Sequence, residues 1–191
     1  MKPIYLTTNQ FKLREAKKIF NEKYGFDIDI VNPDFEIYEI QAKDCKEVAA
    51  FSVKYAVDKL NTPCIKSDTG LYIEALGGLP GPYNAYFDKQ IGVEKFMQLF
   101  KPEKNRKAYI EHSYAYCEPG GEPIIFSDKI YGTISTESRG KDGRWHDFFF
   151  IPDGETRTLA EIGDEDVDAK IKNYGNAVEQ FAEWYKENKL K

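Results

Sequence analysis

The run Cys64-Ile65-Lys66-Ser67-Asp68-Thr69-Gly70-Leu71-Tyr72-Ile73-Glu74-Ala75-Leu76-Gly77-Gly78-Leu79-Pro80-Gly81-Pro82-Tyr83 decides how this chain is read. Its first four residues predict a strand, and Asp68, Thr69 and Gly70 fall where that strand is expected to end. A compact Gly/Pro-rich turn follows. Ligands of open α/β sheets collect at the carboxyl ends of strands, so a carboxylate and a hydroxyl placed there are candidates for chemistry. An Asp in the same place also serves as an Asx-turn or a helix cap. Asp68 alone leaves both readings open.

Upstream of this run, residues 3–7 predict a buried first strand, and Thr7-Thr8-Asn9 a polar turn. A helix follows with Phe11, Ala16, Ile19 and Phe20 on one side. Residues 26–31 and 35–38 alternate as strands, and Glu39-Ile40-Gln41 closes the second. From Asp44 to Leu60, Val48, Phe51, Tyr55 and Leu60 recur at helical spacing. Downstream, residues 92–100 predict a short helix. Residues 107–117 and 124–134 predict two long strands, joined by the turn-rich loop 118–123 as a hairpin. Residues 148–152 form a dense apolar strand. A last helix is expected from about Glu165 to about Glu187, burying Val167, Ile171, Tyr174, Val178, Phe181 and Trp184 or Tyr185. Strands alternate with helices at both ends while a hairpin interrupts the middle. That order predicts an α/β protein with a mixed sheet, an inserted lobe and a cleft. With no repeat or linker, residues 1–191 read as one domain.

Composition narrows the classes. Hydrophobic residues make up 41% of the 191, enough for a sizeable core, and the 13 Tyr and 13 Phe make that core rich in rings. Lys and Arg number 27 against 32 Asp and Glu, and no basic face appears, which argues against nucleic acid as partner. A phosphorylated small molecule stays open, since its pocket needs only a few aimed cations. Cys45, Cys64 and Cys117 are odd in number and far apart, which reads as free thiols in a reducing cytoplasm. No apolar run is long enough to span a membrane, and Met1-Lys2-Pro3 leads directly into a strand with no leader signature.

Three constellations carry chemistry. In the turn Thr7-Thr8-Asn9-Gln10-Phe11-Lys12, helix amides, hydroxyls, an amide side chain and an ammonium can converge on phosphate oxygens. Capping of the helix by Thr8 or Asn9 accounts for the same residues. The glycines and the Gly-Lys-Ser/Thr ending of a P-loop are absent. Among the acids Glu36, Glu39, Asp68 and Glu74, two carboxylates from different strand ends can hold Mg²⁺ with substrate phosphates and water. Solvated strand-edge acids are the plain alternative, taken for Glu36 and Glu74. Gly143-Arg144-Trp145-His146-Asp147 offers a ring, an imidazole and a carboxylate that can stack on a base and bond its edge, or simply decorate a loop. His112 is expected to be a packed strand residue. No Ser or Cys sits in a nucleophile setting, so covalent catalysis has no candidate.

Taken in order, these segments resemble the Ham1-type inosine triphosphate pyrophosphatase family over nearly the whole chain. The matching features are Thr7-Thr8-Asn9-x-x-Lys12, Tyr38-Glu39-Ile40-Gln41, Glu47-Val48-Ala49 with Lys54, Ser67-Asp68-Thr69-Gly70-Leu71 with its Ala75-Leu76-Gly77-Gly78-Leu79-Pro80-Gly81 tail, and Phe150-Ile151-Pro152 with Thr158-Leu159-Ala160-Glu161. The resemblance implies an elongated mixed sheet with flanking helices and a second lobe, a nucleotide cleft between lobes, and a homodimer. It implies hydrolysis of inosine, xanthosine and deoxyinosine triphosphates (ITP, XTP, dITP) to monophosphate and pyrophosphate, with Mg²⁺, by attack of water on the α-phosphorus. Carried over, Thr7 to Lys12 hold the triphosphate and Lys54 adds charge. Glu39 and Asp68 bind magnesium, Asp68 accepts the proton of the water, and Thr69 contacts substrate.

The later motifs depart from the family. An acid commonly precedes the catalytic one, and here that position is Ser67. The loop usually written Gly-Phe/Trp-Gly-Tyr-Asp-Pro is Gly143-Arg144-Trp145-His146-Asp147-Phe148, so Arg144 or Trp145 has to meet the base. The Lys…Ser-His-Arg run appears as Lys172-Asn173-Tyr174. Phosphate and metal chemistry read as retained and base recognition as rewritten. The competing expectations are the same activity on other bases, or a nucleotide-binding protein without catalysis.

Overall fold

A computed structural model describes residues 2–173 and 175–190. The elements, in chain order, begin with β1 (Ile4–Leu6), α1 (Gln10–Ala16), β2 (Asp29–Val31), α2 (Cys45–Leu60), β3 (Cys64–Ile73) and β4 (Pro80–Gly81). There follow α3 (Asn84–Gln90), α4 (Gly92–Phe100), β5 (Lys107–Cys117), β6 (Ile124–Ile134), β7 (Phe150–Pro152), α5 (Leu159–Glu165), α6 (Val167–Lys172) and α7 (Ala177–Lys189). A wider π-helical stretch, Lys17–Lys23, prolongs α1. The strands form one mixed sheet in the order β2-β1-β3-β5-β6-β7, with β4 beside β3. β1 runs parallel to β2 and β3, whereas β4 and β7 pair antiparallel with β3 and β6. This is the α/β class the order of segments predicts.

The chain folds as two compact units. The first takes in the chain up to Asp68, then Ser113–Asp128 and everything from Asn176 on; the second is Thr69–His112 with Lys129–Gly175. In the first unit, α2 begins at Asp44, whose carboxylate accepts from the Glu47 amide, and ends at Asn61 in the left-handed conformation. Its buried face is Cys45, Val48, Ala49, Ser52, Val53, Ala56 and Val57. Leu6, Cys64, Ala115 and Cys117 pack on that face. Small residues let the helix lie close on the sheet, so Phe51, expected inside, stays exposed and stacks on Tyr55. A second, aromatic patch joins Phe20, Phe26, Phe126 and Tyr116 to Phe181 and Tyr185 of α7. In the second unit, Trp145 packs edge-on against Phe96 and Phe149.

Four sequence expectations are corrected. Residues 35–41 form no strand: Phe35 and Tyr38 set their rings against Tyr55, and Ser52 donates to the Tyr38 carbonyl at 3.3 Å. Their alternation arises from lying on a helix. β3 does not stop at Ser67 but continues to Ile73, so Asp68 and Thr69 lie within a strand. The last helix is two helices, because Asn173 closes α6 and Gly175, with φ +79°, redirects the chain. Ile171, Val178, Phe181 and Tyr185 are buried as expected, Val167 is exposed, and Tyr174 lies outside the described residues. Finally, α3 and α5 fall in stretches where no helix is expected; α5 is held by a capping box between Thr158 and Glu161.

Candidate active site

Strand alternation organises the first unit around Asp68. Cys64, Ile65 and Ser67 are buried, whereas Lys66 and Asp68 keep partial exposure. Residues i and i+2 of a strand share a face, so the Lys66 and Asp68 side chains leave on one side and Ser67 on the other. Ser67 Oγ lies 2.6 Å from the Tyr5 hydroxyl, which donates to Tyr114 Oη at 3.3 Å. Tyr114 in turn donates to the fully buried Glu15 at 2.9 Å. Burial, with Glu15 beside it, pushes the Tyr114 hydroxyl well above its ordinary pKa and keeps it a neutral donor. Ser67 is thus the end of a buried hydroxyl chain that leads to a carboxylate.

On the other face, Asp68 Oδ2 is buried and accepts no hydrogen bond among the described residues. A carboxylate oxygen withdrawn from water without a donor calls for a cation, a water or a substrate hydrogen. Glu39, on the irregular stretch before α2, is exposed. Its carboxylate and that of Asp68 both act on the ammonium of Lys66: burial lowers the pKa of Lys66, and Glu39 and Asp68 oppose that shift. Two carboxylates with substrate oxygens and water are an adequate set for Mg²⁺, which needs few protein ligands. Glu36 and Glu74 are exposed, and Glu74 accepts from Asn105 at 2.7 Å.

The Thr7–Lys12 turn resolves into a cap and a cation. Asn9 Oδ1 accepts the amides of Phe11 and Lys12 at 3.0 and 3.2 Å, and Thr7 Oγ1 accepts the Asn9 amide at 3.2 Å. These side chains use the amides that a phosphate would otherwise seek. Thr8 is exposed, and Lys12 Nζ reaches 2.8 Å to the carbonyl of Ser67, next to Asp68. The structure therefore brings Lys12, Lys66 and Asp68 to one stretch of β3. Lys54 instead donates to the Gly121 carbonyl at 3.1 Å and pairs with Asp58 at 3.4 Å.

In the second unit, Thr69 follows Asp68 along β3 and is buried, its Oγ1 without a partner among the described residues. Asn84, at the start of α3, accepts the Leu71 amide at 3.2 Å with Oδ1. Its Nδ2 donates to the Thr69 carbonyl at 3.3 Å and faces His146 Nδ1 at 3.2 Å. The bond from Leu71 fixes which end of the amide is which, so His146 Nδ1 accepts and Nε2 carries the hydrogen. Nε2 then points at Asp147 Oδ1, 3.4 Å away. Asp147 is completely buried and meets Lys170 Nζ at 2.8 Å. Burial alone would raise its pKa, but the charges of Arg144 and Lys170 outweigh it and hold the carboxyl at about 2.

This network fixes the fate of the 143–147 loop. Trp145 is 4% exposed and wedged among Phe87, Phe96 and Phe149, so its ring is a core side chain. His146 and Asp147 are buried within the polar network. Arg144 has its backbone amide and guanidinium turned to Asp147, at 2.8 and 3.9 Å. Lys172 is exposed near the end of α6. Three participants are absent from the sequence reading: Lys66, Asn84 and Lys170. Lys66 was detectable as the i−2 strand neighbour of Asp68, whereas Asn84 and Lys170 become visible only through long-range packing.

Residues 4–184 match the sequence profile of the Ham1 family. The dITP/XTP pyrophosphatase of Methanopyrus kandleri is 44% identical over 188 residues, 98% of each chain. That of Thermococcus kodakarensis is 39% identical over 98% of this chain and 99% of its own. Among solved structures, the Staphylococcus aureus Ham1 protein superposes with a TM-score of 0.81 at 23% identity, covering 99% of this chain and all of the other. The Coxiella burnetii HAM1 protein also gives 0.81 at 23% identity, over 98% and 99%. The fold, the ordered motifs and the near-complete reach of these matches place this chain in the Ham1 family.

Proposed function

We propose that the protein hydrolyses nucleoside triphosphates of non-standard purines to the monophosphate and pyrophosphate. The observation that carries this reading is the donorless, buried Oδ2 of Asp68, on the stretch of β3 whose preceding carbonyl holds Lys12. The names of the relatives, dITP/XTP pyrophosphatases, support the reaction class. Oδ2 accepts a proton from a water as its oxygen bonds the α-phosphorus in line with the departing pyrophosphate. The bond from the α-phosphorus to the bridging oxygen breaks, and pyrophosphate takes that electron pair. Lys12, released from the Ser67 carbonyl, meets charge developing on the phosphates. Glu39 and Asp68 would hold Mg²⁺, which supplies neutralisation of phosphate charge when bound. The same reading takes a homodimer as the assembly and the cytoplasm as the location.

A second reading, altered base choice, is favoured by the burial of Trp145, His146 and Asp147, which leaves Arg144, itself turned to Asp147 and 16% exposed at its side chain, as the loop side chain that would have to reach a base. Pyrophosphate release with magnesium across inosine, xanthosine, deoxyinosine and standard or oxidised triphosphates tests both. Best turnover on the inosine or xanthosine compounds supports the first reading and refutes the second. Nucleotide binding without turnover on any of them refutes catalysis.

A further inference from the structure

We infer that Lys66 is an internal counter-ion for Glu39 and Asp68, so that the protein takes up its divalent cation together with the nucleotide and not before it. The inference rests on the reading of those two carboxylates as the metal-binding pair. Lys66 shares a strand face with Asp68, two residues apart, while the residues at 65, 67 and 69 are buried on the opposite side. Glu39 and Asp68 are the carboxylates whose fields act on its ammonium. Among the described residues, no hydrogen bond or close ion pair ties Lys66, Glu39 or Asp68 to a partner. Lys66 therefore shares the strand face of Asp68, lies in the field of both carboxylates, and makes direct contact with neither.

That arrangement has a physical consequence. Two carboxylates with no cation nearby would repel each other and attract a free dication. An ammonium whose field reaches both relieves the repulsion and repels the incoming metal, and the partial burial of Lys66 and Asp68 strengthens both effects. A triphosphate changes the balance. It brings several negative charges, gives the ammonium a new partner, and supplies the oxygens that Mg²⁺ prefers to share with one or two carboxylates. Metal and nucleotide then bind with positive coupling, each raising affinity for the other by the same factor.

The test is Mn²⁺ binding to the intact protein without nucleotide, followed by electron paramagnetic resonance and by calorimetry. Wild type and K66R are expected to bind weakly, and K66M or K66Q to bind on the order of tenfold more tightly or better, as loss of a close like charge requires. The gain should disappear in K66M/E39Q and K66M/D68N. If K66M and K66Q bind no more tightly than wild type, the counter-ion role fails. If wild type binds Mn²⁺ tightly by itself and E39Q removes that binding, the metal pair stands and the counter-ion role fails. If the gain in K66M survives E39Q and D68N, and E39Q leaves magnesium-dependent turnover intact, the assignment of the pair fails as well.

Discussion

Lys12 Nζ donates to the main-chain oxygen of Ser67 at 2.8 Å, tying the first helix to the residue before Asp68. A lysine in the first turn of a helix opposes the helix dipole, so its cost has to be met by an anion or a carbonyl. Here the carbonyl meets it, and the ammonium waits beside the carboxylate proposed to act. Substituting Lys12→Met keeps the stem and removes the charge. Catalytic efficiency should fall roughly 10²- to 10³-fold if Lys12 stabilises developing phosphate charge. Thermal stability should change little, since one carbonyl bond at a half-buried site is worth about 1 kcal/mol. Steady-state pyrophosphate release and a melting curve check the two halves; unchanged turnover would remove Lys12 from the phosphate site.

Asp68→Asn should separate chemistry from folding. Oδ2 accepts no hydrogen bond, so an amide of the same shape breaks no contact within the protein. Loss of the proton acceptor should lower turnover about 10²- to 10⁴-fold, and the melting temperature should hold or rise. A variant that hydrolyses triphosphate at the wild-type rate would take Asp68 out of the reaction.

The acid limb of stability should report on Asp147. Its folded pKa of about 2 lies below the ordinary carboxylate value near 3.9, so the unfolded chain binds the proton more tightly. The stabilisation is complete above about pH 4 and disappears as the pH falls through about 2; it amounts to on the order of 2 kcal/mol. Asp147→Asn should cost roughly 3–5 kcal/mol at pH 7, because Lys170 is left buried without its counter-charge. Urea unfolding of both proteins between pH 7 and pH 2 should show the gap closing towards acid. A constant gap would mean that the carboxylate is not ionised in the folded protein.

The elements legible in the sequence were those whose periodicity has a local cause. The long strands β5 and β6 begin and end at Lys107, Cys117, Ile124 and Ile134, because alternation and a Gly/Pro-rich loop mark both ends. Phe35 to Gln41 alternates as regularly, yet rests on α2; periodicity reports a buried face and not what covers it. The reach of β3 was hidden for a related reason. The strand continues past Asp68 beside β5, pairs with β4 at Leu71 and Tyr72, and has Asn84, 13 residues beyond Leu71, bonding the Leu71 amide and the Thr69 carbonyl, all partners that lie far off in sequence. Asp68, Glu39 and Lys12 could be picked out from residue type and motif, whereas the withdrawal of Trp145 into a cage of three phenylalanines could not.

Asn84→Ala should therefore weaken β3 where it passes Asp68. The substitution strands the Leu71 amide and the Thr69 carbonyl in a buried site and removes the donor to His146. Each unsatisfied group costs about 1–3 kcal/mol, and a domain of this size loses roughly 2–4 °C of melting temperature per kcal/mol. Hydrogen exchange should rise at the Leu71 amide before it rises in α2. Equal exchange at both places would show that Asn84 does not hold the strand.

Ser67 is the position where the chain departs from the acid common in the family resemblance, and its surroundings explain the choice. Its Oγ touches Tyr5, and the hydroxyls of Tyr5 and Tyr114 carry the contact to Glu15, all within a buried chain. A glutamate at this place adds one methylene to a packed site, replaces the hydroxyl by a bulkier carboxylate, and sets that second carboxylate one hydroxyl chain away from Glu15. Overpacking alone costs typically 1–3 kcal/mol, and a buried like charge adds to it. Ser67→Glu should therefore destabilise the protein by about 2–4 kcal/mol. Ser67→Ala should cost about 1 kcal/mol, the worth of one hydrogen bond, since Tyr5 keeps Tyr114. Pairing Ser67→Glu with Glu15→Gln should recover part of the loss by removing the like charge. Denaturant unfolding of the four proteins completes a double-mutant cycle. Strict additivity would show that residues 15 and 67 do not communicate through the two tyrosines.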